Sequence, residues 1–218
     1  MITIINPDKL SSQPFFKALI NYLASHDEVT LRQIRADFAE VKHLERQLES
    51  YIEAGYILRH KKRYQLSLEY YDDKTLPQLD QMLFVDTTKT SYDKLAEPLY
   101  QTLLTNHVNH LALVERTDFL RNRLTLSNYF YKLSHHYPLS EAQEVLYQLL
   151  GDVNQDYALK YMTSFLLKLT KKKVVKQKRP DIFVQALVLL GYIEPIDETE
   201  TAYQAKVVLE ELLISENA

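Results

Sequence analysis

Apolar residues in the first quarter of the chain recur at helical spacing. Phe16, Leu19, Ile20 and Leu23 fall three and four apart, one face of a helix that opens at Ser12-Gln13-Pro14 and ends by Ser25. Asp27-Glu28 interrupts that face. Thr30-Leu31-Arg32-Gln33 then has the form of a capping box, with Val29 and Ile34 in the positions of a hydrophobic staple. This predicts a second helix over residues 31–38. A third is predicted over about 41–54, where Val41, Leu44, Leu48, Tyr51 and Ile52 share one side and Gly55 stops the helix. Past Gly55 the pattern becomes that of strands. Residues 56–59 and 63–68 flank the polar tip His60-Lys61-Lys62 and predict a β-hairpin. Residues 1–5 read as an additional strand whose partner the pattern does not identify.

The order helix end, glycine, apolar pair, polar tip and strand occurs a second time, over residues 187–209. Gly-Tyr-Ile and Tyr-Gln stand in both copies, at Gly55 and Gly191 and at Tyr64 and Tyr203. Between the copies, residues 71–90 are acidic and turn-rich, with Pro77 and a threonine-rich run, and read as a linker. Helical spacing resumes near Ser91 through Leu95, Leu99, Leu103 and Leu104. Further helices are predicted over 108–120, 126–136, from Ser140 to Gly151, and over 156–171, giving a helical bundle over roughly 91–171. The last helix opens at Pro180 and is nearly all apolar from Phe183 to Leu190. Its hairpin tip carries Asp197, Glu198 and Glu200, opposite in sign to the first tip.

Residues 14–68 resemble a winged helix-turn-helix domain, in the pattern Thr30-Leu31-x-x-Ile34, Leu44-x-x-x-Leu48, Ala54-Gly55-Tyr56-Ile57 and Arg63-Tyr64. The resemblance implies DNA bound through the third helix in the major groove, with the hairpin as a wing alongside. The opening Ile5-Asn6-Pro7, Lys9-Leu10 and Gln13-Pro14-Phe15-Phe16 also resembles an uncharacterised protein family of lactic-acid bacteria, which implies no activity. The expected fold is mostly α with small β-hairpins. It comprises a winged helix-turn-helix over 1–70, the linker 71–90, and a helical bundle over 91–218 that ends in a second winged-helix-like unit.

Composition narrows the chemistry. The 218 residues include three glycines, Gly55, Gly151 and Gly191, each after a helix-like segment, so none is left for a phosphate-cradling loop. Cysteine is absent, which excludes disulfides, thiolate nucleophiles and cysteine-ligated zinc and fits a reducing cytoplasm. The opening MITIINPDKL carries too few apolar residues for a signal peptide. The longest apolar run, residues 186–190, is far shorter than the roughly 20 residues that span a bilayer, so no membrane partner is expected. Formal net charge is −3, so any nucleic-acid contact has to use local patches.

Two such patches stand out. In the first hairpin Arg59, Lys61, Lys62 and Arg63 are nearly contiguous, and Lys42 and Arg46 accompany them on the predicted third helix. The second patch holds seven basic residues in the twelve from Lys168 to Arg179: Lys168, Lys171, Lys172, Lys173, Lys176, Lys178 and Arg179. Each phosphate neutralised adds to a salt-dependent affinity. Against this, Glu45, Glu49 and Glu53 stand four apart on the third helix, where groove-facing carboxylates repel phosphate. Lysines at a helix C-terminus also have a plain electrostatic reason to be there.

Catalytic signals are weak. His107 and His110, with Glu115 and Asp118 following, lack the His-Glu-x-x-His arrangement and read as surface histidines rather than metal ligands. The sixteen tyrosines read as core and interface residues in a chain without tryptophan. The expectation is a non-enzymatic cytoplasmic protein without cofactor or metal, associated with double-stranded DNA through the basic wing. The alternative is a protein-interaction module that uses the winged-helix fold as a scaffold.

Overall fold

The computed structural model describes residues 1–199 and 201–215. It divides into two compact units, Met1–Pro98 and the chain from Leu99 onward.

The first unit opens with β1 (Ile2–Ile5), followed by α1 (Pro14–Ala24), β2 (Val29–Thr30), α2 (Leu31–Asp37), α3 (Leu44–Glu53), β3 (Ile57–His60) and β4 (Arg63–Leu66). It closes with β5 (Leu83–Asp86) and the single-turn α4 (Thr90–Asp93). The capping box forms: the Gln33 amide N–H donates to Thr30 Oγ1 at 3.4 Å and the Thr30 N–H donates to Gln33 Oε1 at 2.9 Å. Phe16, Leu19, Ile20, Ile34, Leu48, Tyr51 and Ile57 are buried together, so the apolar faces read from periodicity make one core. The third helix is shorter than expected. His43 adopts φ 55°, outside the helical region, so α3 starts at Leu44 and Lys42 precedes it.

Strand β1 finds its partner in β5, antiparallel with Ile2 opposite Asp86 and Ile5 opposite Leu83. The stretch 71–90, expected as a linker, therefore contributes a strand to this unit. Its run Leu83-Phe84-Val85 is buried, which the surrounding acidic and turn residues disguised.

The second unit contains β6 (Tyr100–Thr105), β7 (Leu111–Thr117), α5 (Leu126–Ser134), α6 (Glu141–Leu150), α7 (Gln155–Lys171), β8 (Val175–Lys176) and α8 (Ile182–Leu189). It continues through β9 (Ile193–Pro195), β10 (Ala202–Ala205), α9 (Leu209–Leu212) and β11 (Leu213–Ser215). The expected mostly-α architecture is incorrect. The fold is 39% helix and 20% strand, with four small sheets among the described residues. The error lies mainly at residues 99–120, expected as helix and observed as a hairpin with Leu103 opposite Val114. Leucines four apart satisfy a helix. However, Thr102 and Leu104 face the core while Gln101 and Leu103 face out, the period of a strand. Asn106 forms the turn, its side-chain oxygen accepting from the backbone N–H of Val108 and of Asn109 at 3.1 Å each.

The repeated ending is a repeated structure. Gly55 and Gly191 have φ 79° and 75°, each one residue past the C-cap of its helix. The N–H of Tyr56 donates to the Tyr51 carbonyl and that of Tyr192 to the Leu187 carbonyl, both at 3.0 Å, which is the Schellman closure. The strand holding Tyr64 lies between β2 and β3, and the strand holding Tyr203 lies between β8 and β9. Tyr64 faces Val29 and Arg59, as Tyr203 faces Val175 and Pro195. Helix α8 buries Phe183, Val184, Ala186 and Leu187, which accounts for its apolar composition. Asp197 accepts from the Thr201 N–H at 2.8 Å and so anchors its own turn, while Glu200 lies outside the described residues.

Candidate nucleic-acid interface

The tip of the first hairpin is two residues long, because His60 pairs with Arg63. Lys61 and Lys62 have φ 47° and 65°. Two successive left-handed residues make the type I′ turn that suits the twist of a hairpin, a turn that favours Asn-Gly. With two lysines there, each backbone costs about 1 kcal/mol. Both side chains are exposed, and neither forms an ion pair among the described residues.

The other basic residues of this unit are not equivalent. Arg59 pairs with Glu49 of α3, and Arg35 of α2 pairs with Glu45 of α3. Arg63 Nη1 donates to the Glu28 carbonyl at 3.4 Å. Lys42 is exposed in the turn before α3, and its carbonyl accepts from Gln47 Nε2 at 2.8 Å. Arg46 is exposed on α3. Two of the carboxylates that count against phosphate binding are thus neutralised within the fold, at the expense of Arg59.

The second patch lies in the other unit. Lys171 ends α7, Lys172 is its C-cap, and Lys173 follows in the link to β8. Lys176 is on β8, while Lys178 and Arg179 precede α8. All six side chains are exposed. Lys168 and Lys171 sit in the last turn of a 17-residue helix, where the negative end of the dipole favours them.

Sequence reasoning missed a dense polar network in the second unit. Glu115 of β7 is buried and accepts from the backbone N–H of Leu126 at 3.0 Å and of Ser127 at 2.7 Å, at the start of α5. The Tyr192 hydroxyl donates to the same carboxylate. Burial pushes the Glu115 carboxyl above its ordinary range, opposed by these three donors, and burial beside Glu115 raises the Tyr192 phenol. Asp118 accepts from the N–H groups of Asn122 and Arg123 at 3.2 and 3.1 Å. Gln143 Nε2 donates to the carbonyls of Arg121 and Arg123, both at 2.9 Å. Arg121 lies 4.0 Å over the Tyr131 ring. Lys132 donates to Asn122 Oδ1 at 2.9 Å, and burial lowers its amine while Asp118 opposes that shift.

These groups hold one another and the 118–125 loop, and that mutual commitment makes the network a structural clasp. Its one visible signal was Asp118-x-x-Arg121-Asn122-Arg123, a polar cluster between two apolar elements. His107 and His110 fall in the turn of the β6–β7 hairpin, and Glu115 is committed elsewhere. Among the described residues no group of three or more histidine, aspartate or glutamate side chains suits a metal ion, and no helix is long and apolar enough to cross a membrane.

Comparison with known families matches the first unit almost end to end. Residues 2–98 match the family model described as a domain of unknown function, DUF1803. The DUF1803 span thus includes β5 and α4, which independently supports placing residues 71–90 with the first unit. It also fits the resemblance to an uncharacterised family carried by the opening residues. Neither the curated proteins nor the solved structures give a match.

Proposed function

We propose that residues 14–68 are a winged helix-turn-helix module that contacts the phosphate backbone of double-stranded DNA without catalysing a reaction. The order α1, β2, α2, α3 and a hairpin, with β4 between β2 and β3, supports the module assignment. The observation that carries the DNA reading is the Glu49–Arg59 ion pair. It joins α3, which carries Arg46, to β3, which leads into the Lys61-Lys62 tip, and in this reading the two present their charges together. It also removes one carboxylate from the charges that would oppose phosphate.

Lys61, Lys62, Arg46 and Lys42 are the primary contacts in this reading. Arg59 and Arg63 support the wing and contribute less, since each has an internal partner. Lys171, Lys172, Lys173, Lys176, Lys178 and Arg179 form a second phosphate-binding patch in the other unit.

Protein docking is the second reading. It is favoured by α8, which occupies in the second copy the place of α3 yet exposes Ile182 and no basic side chain. Fluorescence anisotropy with a labelled mixed-sequence duplex tests the proposal. Saturable binding that Lys61→Glu/Lys62→Glu abolishes supports it, and binding untouched by that change removes the wing from the account.

A further inference from the structure

The sheet of β11, β7 and β6 has one face on the core and one in solvent. Along β7, Leu113, Glu115 and Thr117 point inward and Val114 and Arg116 point outward. An antiparallel sheet with one wet face ordinarily places polar residues there. This one does not. Leu103 is 54% exposed on β6 and stands opposite Val114, Ile214 is 39% exposed on β11, and Val208 beside them is 57% exposed. Val114, Val208 and Ile214 line a groove of about 650 Å³ whose charged residues are Arg116 and Glu211. Neither charge has an ion-pair partner among the described residues. An apolar strip with polar margins marks an interaction surface.

We propose that a second copy of this chain occupies the face, related by a two-fold axis. The argument is the charge arrangement. One unpaired cation and one unpaired anion on a single apolar patch are self-complementary: a two-fold axis sets Arg116 of each copy against Glu211 of the other, and Leu103 and Val114 close over the apolar centre. A partner of different chemistry needs no such balance. The proposal does not involve the hairpin tip of the first unit or the basic residues 171–179, none of which lies on this face.

Sedimentation velocity over a concentration series tests it. The wild type dimerises by about 100 µM. Arg116→Glu and Glu211→Arg each weaken the dimer by about tenfold or more, because reversal sets like charges against each other. Mixing the two variants restores it, since both contacts across the axis are then oppositely charged. Circular dichroism of each variant, unchanged from the wild type, excludes loss of fold. A monomeric wild type overturns the proposal. So does a dimer that ignores both reversals, or a mixture that does not recover.

Discussion

The hydroxyl of Tyr192 donates to the buried carboxylate of Glu115, and this pairing has a counterpart in the first unit, where the Tyr56 hydroxyl donates to Asp8 at 3.3 Å. In each copy the tyrosine directly follows the glycine that ends the helix. In each copy the carboxylate also accepts backbone N–H groups: Leu10 and Ser11 for Asp8, Leu126 and Ser127 for Glu115. The repeat therefore includes a polar latch as well as a backbone path. The two latches differ in solvent, Asp8 being exposed and Glu115 buried.

That difference sets the cost of breaking them. Tyr192→Phe leaves a buried carboxylate short of a donor and destabilises the second unit by about 1–3 kcal/mol. Tyr56→Phe leaves water free to replace the donor and costs about 0.5 kcal/mol. Urea denaturation of the two variants checks the order, and equal costs would contradict it.

Glu115 also predicts a pH dependence. Its folded pKa is raised above the ordinary carboxylate value of 4.5, so the folded state holds this proton more tightly than the unfolded chain. The stability it contributes is complete below pH 4.5 and is lost as pH rises through the folded pKa. Glu115→Gln removes the proton equilibrium. The stability of Glu115→Gln relative to the wild type is expected to rise between pH 4 and pH 8, read from urea midpoints across that range. A constant difference would show the carboxyl to be unperturbed.

The hairpin tip predicts a trade between stability and binding. Lys61→Asn/Lys62→Gly suits the left-handed turn and raises stability by about 1 kcal/mol. The same change removes two exposed charges and weakens duplex binding. Thermal unfolding and anisotropy on one sample read both effects, and a destabilised variant would contradict the turn assignment.

Freeing Arg59 is expected to act the other way. Glu49→Gln releases the guanidinium from its internal pair, strengthens duplex binding several-fold and steepens its salt dependence by about one phosphate contact. Binding weaker than the wild type would mean that Glu49 holds Arg59 in its binding position.

Much of the first unit was legible in the sequence because each signal there was local. The Thr30–Gln33 capping box, the face of Phe16, Leu19 and Ile20, and the glycine ending at Gly55 each fix a few neighbouring residues. Strand β5 was not legible, since the strand it pairs with along its length is β1, some eighty residues away. The β6–β7 hairpin was misread because Leu99, Leu103 and Leu104 satisfy a helical period while the burial of Thr102 and exposure of Leu103, which decide the matter, are tertiary facts. The basic residues of the candidate interface were visible from the start. What sequence could not show is that Glu45 and Glu49 are neutralised by Arg35 and Arg59, since both pairs join separate elements. The Glu115 network was hidden for the same reason.

The most direct test of the DNA reading is the salt dependence of duplex affinity for the wild type and for Arg46→Gln/Lys61→Gln/Lys62→Gln. The affinity of the wild type is expected to fall linearly in log–log form with added salt, and the triple variant to lose about three phosphate contacts' worth of slope. A wild type that fails to bind even at about 50 mM salt, or a variant with an unchanged slope, would contradict phosphate contact through this surface.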